Sequence, residues 1–484
     1  MKSDVRIQIC IRMLNLFFDS CVPFDIIMGK FFKNNKWIGS HDRREIAEFS
    51  YSIFRSFEKL KFLASNIEAD LSRTYVLIAL KVVNGLSEQK ICELFSGKRG
   101  GPSQLTDFEK KLLDQTNRLL SKPGGSVEFL KDYRAQDSSL SDVRENLSTE
   151  ATQKLPKGRW LKKKFNKTMD FPKHVLLNYP EWMTKLLKRA FTQDRLKDEM
   201  LTLNEKAPTD LRINTLKSSK AEVKKILIES GISVEDCRYS INGLRLQEGR
   251  ISRSHRVIAD GLAEIQDEGS QLVAELCNAA PGDTVVDFCA GAGGKTLAIA
   301  ASMKNKGRIF ALDKYEKRLE NAKIRFRKAN VNNVFCQQIT TKWIKRHFEC
   351  ADIVLVDAPC SGTGTWRRNP DMRAKFTQKD LQKLMATQTE ILESAHGLVK
   401  KGGRLIYATC SILKEENERQ IENFLNNHRE FVQKRIGDPP ENYLKLTPFQ
   451  HKTDGFFVAI LEKVAQIEPF PPELGQNSPL KFVD

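Results

Sequence analysis

Apolar positions over the first 120 residues recur at helical spacing: Ile7, Ile11, Leu14, Phe17 and Phe18, then Ile46, Phe49, Ile53 and Phe54, then Leu77, Ala79, Leu80 and Val83. Steps of three and four put each group on one helix face, so residues 1–150 are expected to hold an all-helical domain. From Ser121 the period dissolves into Lys122-Pro123-Gly124-Gly125 and a Ser- and Thr-rich polar run, the composition of a linker or domain edge. A basic linker is expected over 151–169 and a small α/β region over 170–260. In that region Leu211-Arg212-Ile213-Asn214 reads as a strand and Ala221 to Gly231 as a helix stopped by glycine. Between 261 and 465 short apolar runs alternate with helical spacings, the pattern of an open parallel sheet; a tail over 466–484 follows.

Composition narrows the class. Of 484 residues, 40% are hydrophobic and 29% charged, which excludes a mainly disordered, collagen-like or disulfide-stapled chain. The formal net charge of +18 favours a polyanionic partner through counterion release, and nucleic acid leads that class. The ten cysteines include no C-x-x-C pair and no partnering His cluster, so no zinc ribbon, redox motif or other metal site is expected. Reduced thiols in the cytoplasm follow. The apolar stretch from Ile7 to Phe18 is broken by Arg12 and Asn15, unlike a secretory signal, and no run approaches the roughly 18 apolar residues of a membrane span. Residues 154–167 carry seven basic side chains, among them Lys162, Lys163 and Lys164, interleaved with Trp160 and Phe165. They read either as a strip for single-stranded RNA, with charge on phosphates and rings on bases, or as a solvated linker.

The candidate chemistry lies between 261 and 465. Thr284 to Phe288 is a short apolar run, followed by Cys289-Ala290-Gly291-Ala292-Gly293-Gly294-Lys295-Thr296 and a helical stretch to Met303. Strand, glycine loop and helix in that order make a turn that cradles a ligand. A phosphate-binding P-loop would need Gly where Cys289 stands, and a dinucleotide fingerprint starting at Gly291 would need Gly where Thr296 stands. The nucleoside triphosphatase reading fails, and a conventional NAD site is weakened. Asp313 closes the next run, 20 residues past Gly293, where a carboxylate can accept from both hydroxyls of a ribose. Two further runs lead into Asp357-Ala358-Pro359-Cys360-Ser361-Gly362 and Thr409-Cys410-Ser411. Carboxyl ends of parallel strands share one sheet edge, so Gly291, Asp313, Asp357, Cys360 and Cys410 are expected to converge on one crevice.

These blocks, with Gln266-Asp267-Glu268-Gly269-Ser270-Gln271, Arg367-Arg368-Asn369-Pro370-Asp371 and Tyr407-Ala408, resemble the NOL/NOP/Sun family of RNA cytosine-C5 methyltransferases, close to its bacterial ribosomal RNA branch. The resemblance covers about residues 175–465 and implies a class I methyltransferase Rossmann-like sheet, with S-adenosyl-L-methionine as methyl donor and RNA, above all ribosomal RNA, as partner. The helical amino-terminal part resembles the NusB-like RNA-binding domain of some members, on Asp42-Arg43 and the helical pattern alone. The chemistry fits independently: carbon 5 of cytosine is a poor nucleophile, and a thiolate adding at carbon 6 makes it enamine-like. Two strand-end cysteines leave the choice of thiolate open. Family correspondence assigns attack to Cys410 and product release to Cys360. It places Asp357 at the Watson-Crick edge of the base and beside the cofactor, and Asp313 on the ribose. The loop Cys289, Ala290, Gly291, Ala292, Gly293, Gly294 and Lys295 takes the amino acid and sulfonium side. Lys295 serves the catalytic carboxylate or the loop itself. Arg367 and Arg368 either grip target phosphates or form a surface salt bridge.

Other readings are a non-catalytic RNA-binding or ribosome-assembly factor of the same fold, and transfer RNA as the substrate; a monomer without membrane or metal is expected. One departure from the family pattern bears on the cofactor. After Asn333-Val334-Phe335, where an acidic residue usually meets the adenine, the chain has Cys336-Gln337-Gln338-Ile339-Thr340-Thr341. A hydroxyl there replaces a carboxylate and weakens binding by about 1 kcal/mol. Thr340→Asp or Thr341→Asp is expected to tighten S-adenosylmethionine binding, read by calorimetry; no gain at either position would reject the idea.

Overall fold

The computed structural model describes residues 1–65, 70–120, 171–437 and 439–464. The chain divides into two compact units. The first comprises 1–207, 362–381 and 447–452, and the second 208–361, 382–446 and 453–484.

Among the described residues, seven helices open the first unit: α1 (Ser3–Phe18), α2 (Phe24–Asn34), α3 (Ser40–Arg55), α4 (Phe57–Leu63), α5 (Leu71–Val82), α6 (Glu88–Leu94) and α7 (Asp107–Leu120). The apolar faces expected from the spacing meet in one core, with Leu14, Phe17, Phe54, Leu77 and Leu80 all buried. Its α5 is apolar on nearly every side and sits inside the bundle, capped where the Asp70 carboxylate accepts from Arg73 N at 3.1 Å. Helices Lys173–Leu176, Thr184–Ala190 and Gln193–Thr202 belong to this unit. The reason is packing: Asn178 Oδ1 accepts from Glu58 N at 2.9 Å, and Phe171 and Leu176 lie on the helical core.

Residues 362–381, placed by sequence within the parallel-sheet region over 261–465, also pack here. Asp371 Oδ2 caps α2 by accepting from Phe24 N at 3.0 Å. Arg373 is buried, with its guanidinium 4.7 Å from the Trp366 ring. Its nitrogens donate to Asn178 O at 2.8 Å and Leu203 O at 3.1 Å, and also to the Asn204 side chain.

The second unit holds two sheets. Strands β1 (Asp210–Ile213), β2 (Val234–Asp236), β3 (Gly243–Leu246) and β4 (Ala263–Ile265) form an antiparallel sheet in the order β2-β3-β1-β4, with helix Lys220–Glu229 on its core. The larger sheet takes β5 (Thr284–Asp287), β6 (Arg308–Asp313), β7 (Val334–Gln338), β8 (Ala351–Asp357), β9 (Val399–Thr409), β10 (Phe431–Lys434), β11 (Leu444–Leu446) and β12 (Phe456–Lys463). Its order is β10-β12-β9-β8-β5-β6-β7, with β11 paired to β12. The run from β9 to β7 is parallel, as expected, and β12 pairs antiparallel with β9. Central strands such as β8 are buried on both faces, which is why they read as unbroken apolar runs. No helix among the described residues is long and apolar enough to cross a membrane.

Arg373→Met keeps volume over Trp366 but strands the buried carbonyls of Asn178 and Leu203. A loss of about 3 kcal/mol is expected, measured as a fall in the melting transition of the helical unit, and an unchanged transition would reject this account.

Candidate active site

The glycine loop leaves β5 at Asp287, whose buried carboxyl is pushed up to about 7 by burial, with the Thr296 hydroxyl at 2.7 Å working the other way. Ala290 N donates to Leu312 O at 2.8 Å and Gly291 N to Asp313 Oδ2 at 3.0 Å, which ties the loop to the end of β6. Gly293, with φ +78°, turns the chain into helix Gly294–Ser302, and a Cβ there would stand 2.6 Å from the Phe326 ring. Gly291 also has positive φ, but a Cβ on it would meet nothing closer than Cys289 O at 4.0 Å, so this face of the loop is an open cradle. Asp313 accepts from Tyr315 N at 2.8 Å through its other oxygen, and each oxygen keeps a lone pair for a ribose hydroxyl. Burial pushes the Cys289 thiol up, and the carboxylates of Asp287, Asp357 and Asp313 add to it, which disfavours its thiolate.

At the centre of the sheet the parallel pairing of β8 with β9 sets Asp357 opposite Ala408, and Ala358 N donates to Ala408 O at 2.9 Å. The two chains leave the same edge together, and Cys360 Sγ and Cys410 Sγ lie 3.3 Å apart as free thiols. Lys295 Nζ donates to Asp357 Oδ2 at 2.5 Å and stands 5.6 Å above the Phe456 ring. Burial opposes the ammonium charge, but the Asp357 carboxylate outweighs it and holds the Lys295 pKa above its ordinary value.

Beneath the thiols, Glu416 is wholly buried and gathers both cysteine loops. Its Oε1 accepts from Ser361 N at 2.8 Å and Gln388 Nε2 at 3.0 Å, and its Oε2 from the hydroxyls of Ser361 and Ser411 at 2.5 Å each. Gln388 Nε2 also reaches Pro359 O at 3.0 Å, and the Tyr407 hydroxyl donates to Glu416 O at 2.7 Å. Sequence reading passed over Glu416 and Gln388, which stand outside any motif it used. The one signal was an acidic pair, Glu415-Glu416, close behind Cys410-Ser411.

Gly291, Asp313, Asp357, Cys360, Cys410 and Lys295 therefore share one sheet edge, and of the two roles open to Lys295 the carboxylate is the one it meets. Arg367 is buried rather than at the surface, and it donates to Lys452 O at 3.2 Å. Arg368 is half-buried, and Lys162, Lys163 and Lys164 lie outside the described residues. The Thr340 hydroxyl accepts from Trp343 N at 3.2 Å as a helix cap, a duty Asp could share.

Two histidines and a glutamate also come together in the second unit. His428 Nε2 lies 3.0 Å from Glu393 Oε1, and its ring packs 4.2 Å from that of His396, residues too far apart in sequence to be paired by spacing. A second group of potential ligands, Asp210, Cys237 and Glu268, encloses the Arg245 guanidinium, 2.7 Å from Asp210 and 3.3 Å from Glu268.

Residues 274–462 match the family model for the 16S rRNA methyltransferase RsmB/F, and residues 179–252 match the ferredoxin-like domain of RsmF/B-like methyltransferases. The chain is 33% identical over 299 residues to the probable ribosomal RNA small subunit methyltransferase B of Synechocystis sp., covering 59% of this chain and 67% of the relative. It is 33% identical over 301 residues to the corresponding Bacillus subtilis protein, covering 59% and 66%. It thus spans about two thirds of the length of these curated relatives. The crystal structure of the protein PH0851 is similar over 96% of this chain and 99% of its own, at 25% identity and a TM-score of 0.70.

If Glu416 aligns the thiols, diamide should join Cys360 to Cys410 readily in the wild type and several-fold more slowly in Glu416→Gln, which has one accepting oxygen in place of two. Peptide mass spectrometry reads the crosslink, and equal rates would show that the loops hold their places without the carboxylate.

Proposed function

The chain belongs to the 16S rRNA methyltransferase RsmB/F family, and on that premise we propose that it transfers a methyl group from S-adenosylmethionine to carbon 5 of a cytosine in ribosomal RNA of the small subunit. The observation that carries this reading is the pair of thiols 3.3 Å apart beside Asp357, at the edge that also bears the glycine loop. A cofactor with a ribose and an amino acid tail suits the residues present. Gly291 leaves its side of the loop open, Asp313 offers two carboxylate oxygens at the end of β6, and the amide nitrogens starting helix Gly294–Ser302 favour a carboxylate. When bound, it supplies an electrophilic methyl group to the activated carbon 5.

The chain's own residues create that activated carbon. The thiolate of Cys410 adds at carbon 6 as the Asp357 carboxyl passes a proton to N3, and the ring electrons shift so that carbon 5 gains enamine character. Asp357 hydrogen-bonds the ring around N3 and is kept in position by Lys295, whose ammonium balances its charge inside the crevice. After methylation, loss of the carbon 5 proton to a base restores the double bond as the carbon–sulfur bond breaks, returning the electron pair to Cys410 and the N3 proton to Asp357. Cys360 is close enough to Cys410 to act on the same ring, consistent with a part in release. The target base must leave its stack to be attacked from the face of the ring.

Incubation of wild type, Cys410→Ser and Cys360→Ser with labelled S-adenosylmethionine and small-subunit ribosomal RNA, free and in particles, tests the assignment. Wild type is expected to form 5-methylcytosine, Cys410→Ser to lose turnover, and Cys360→Ser to accumulate a covalent protein–RNA adduct on a denaturing gel. Exchanged behaviour would swap the cysteine roles, and transfer to neither form of the RNA by wild type would overturn the proposal.

A further inference from the structure

We propose that the turn between α2 and α3 is a second RNA contact, in which Trp37 stacks on an unpaired base while Lys33 and Lys36 neutralise the flanking phosphates. The inference rests on the part of the proposed function that makes RNA the partner, but not on methyl transfer or the chemistry of the cysteines.

Trp37 is 65% exposed, unusual for the largest apolar side chain. Among the described residues no ring or cation covers it. Its backbone is nonetheless held: Asn35 Nδ2 donates to Phe31 O at 2.8 Å, Ile38 N to Asn35 O at 3.1 Å, and Arg43 Nε to Ile38 O at 2.7 Å. Ile38, the next residue, is buried and anchors the turn to the helical core. The indole nitrogen donates to Asn35 Oδ1 at 3.2 Å, which restrains the ring. A ring kept in water by an ordered turn is a platform that loses little entropy when a base lies on it.

The charge around it has one sign. Residues 30–44 carry five basic side chains and one acid, and that acid, Asp42, lies 3.7 Å from Arg6. Lys30, Lys33 and Lys36 are all exposed, and Lys30 and Lys33 are three apart on α2, so they share a face leading toward the turn. Aromatic stacking with adjacent phosphate neutralisation is the way single strands are bound without reading a sequence. A double helix offers the phosphates but keeps its bases in the stack.

The test uses the full chain and fluorescence anisotropy with a labelled single-stranded oligoribonucleotide and its duplex. Trp37→Ala is expected to weaken single-strand binding by about 5- to 100-fold, from the usual cost of removing one stacked base, and duplex binding far less. Trp37→Phe should restore most of the affinity. Lys33→Ala and Lys36→Ala should each reduce the slope of log affinity against log salt by about one. Melting curves establish that the variants fold. Methyl transfer from labelled S-adenosylmethionine is followed in parallel, with Trp37→Ala expected to raise the RNA concentration for half-maximal rate and to leave the rate at saturation unchanged. If wild type binds and methylates RNA and Trp37→Ala matches it in affinity, the platform is refuted and the enzymatic reading stands. If wild type binds RNA through Trp37 but transfers no methyl group, the enzymatic reading falls and the platform stands. Absence of RNA binding by wild type would overturn both.

Discussion

The parallel pairing of β8 with β9 is the constraint on which the site depends. Because Asp357 lies opposite Ala408, Cys360 and Cys410 emerge from neighbouring strands at the same level. Fifty residues of chain separate them, yet their sulfurs are 3.3 Å apart. A register slip of two residues along β9 would move Cys410 about 7 Å along the strand, far beyond reach of a ring held by Cys360. The bulge at Ala351/Ile353 shows where the two strands adjust, at the end remote from the thiols.

Charges buried near that edge serve alignment more than stability. Lys295 and Asp357 offset one another, and Glu416 meets four hydrogen-bond donors, so neither carboxylate is abandoned in a medium of low polarity. A buried network of this kind gains little net energy over an apolar filling, but it permits few alternative geometries. The Glu416 network specifies the relation between two serine-capped loops that must hold two sulfurs in place. Asp287 lies one step deeper, and its carboxyl, raised to about 7 by burial, has the Thr296 hydroxyl as partner. It braces the first turn of the helix that follows the glycine loop.

The helical unit takes in Arg367, a residue the sequence offered for RNA, together with its neighbours. Arg367, Asp371 and Arg373 follow the Cys360 loop closely, and a run rich in arginine on a basic protein invites a phosphate-binding role. The structure spends Arg367 and Arg373 on backbone carbonyls and Asp371 on the first turn of α2. Each satisfies a buried polar group that the packing of helices would otherwise leave without a partner. Exposure therefore discriminates between the candidate RNA contacts better than composition does, and it singles out Trp37 over Arg367.

The sequence by itself determined the helical faces of α1, α3 and α5, the strands β1, β5, β6, β8 and β9, and the glycine loop with Asp313 beyond it. These are set by local spacing, side-chain period and turn residues, which act over short stretches of chain. The shared edge of Gly291, Asp313, Asp357, Cys360 and Cys410 was legible too, because parallel strands admit only one place for their carboxyl ends. Only the tertiary structure decided that Lys295 meets Asp357, that Glu416 and Gln388 bind both cysteine loops, and that Arg367 is buried. It also decided that residues 173–202 and 362–381 pack with the helical core, and that His396 meets His428. These depend on which surfaces are covered and on contacts between residues far apart in the chain. No local periodicity encodes such contacts; they exist only once the hydrophobic cores have closed and each buried donor has found its acceptor.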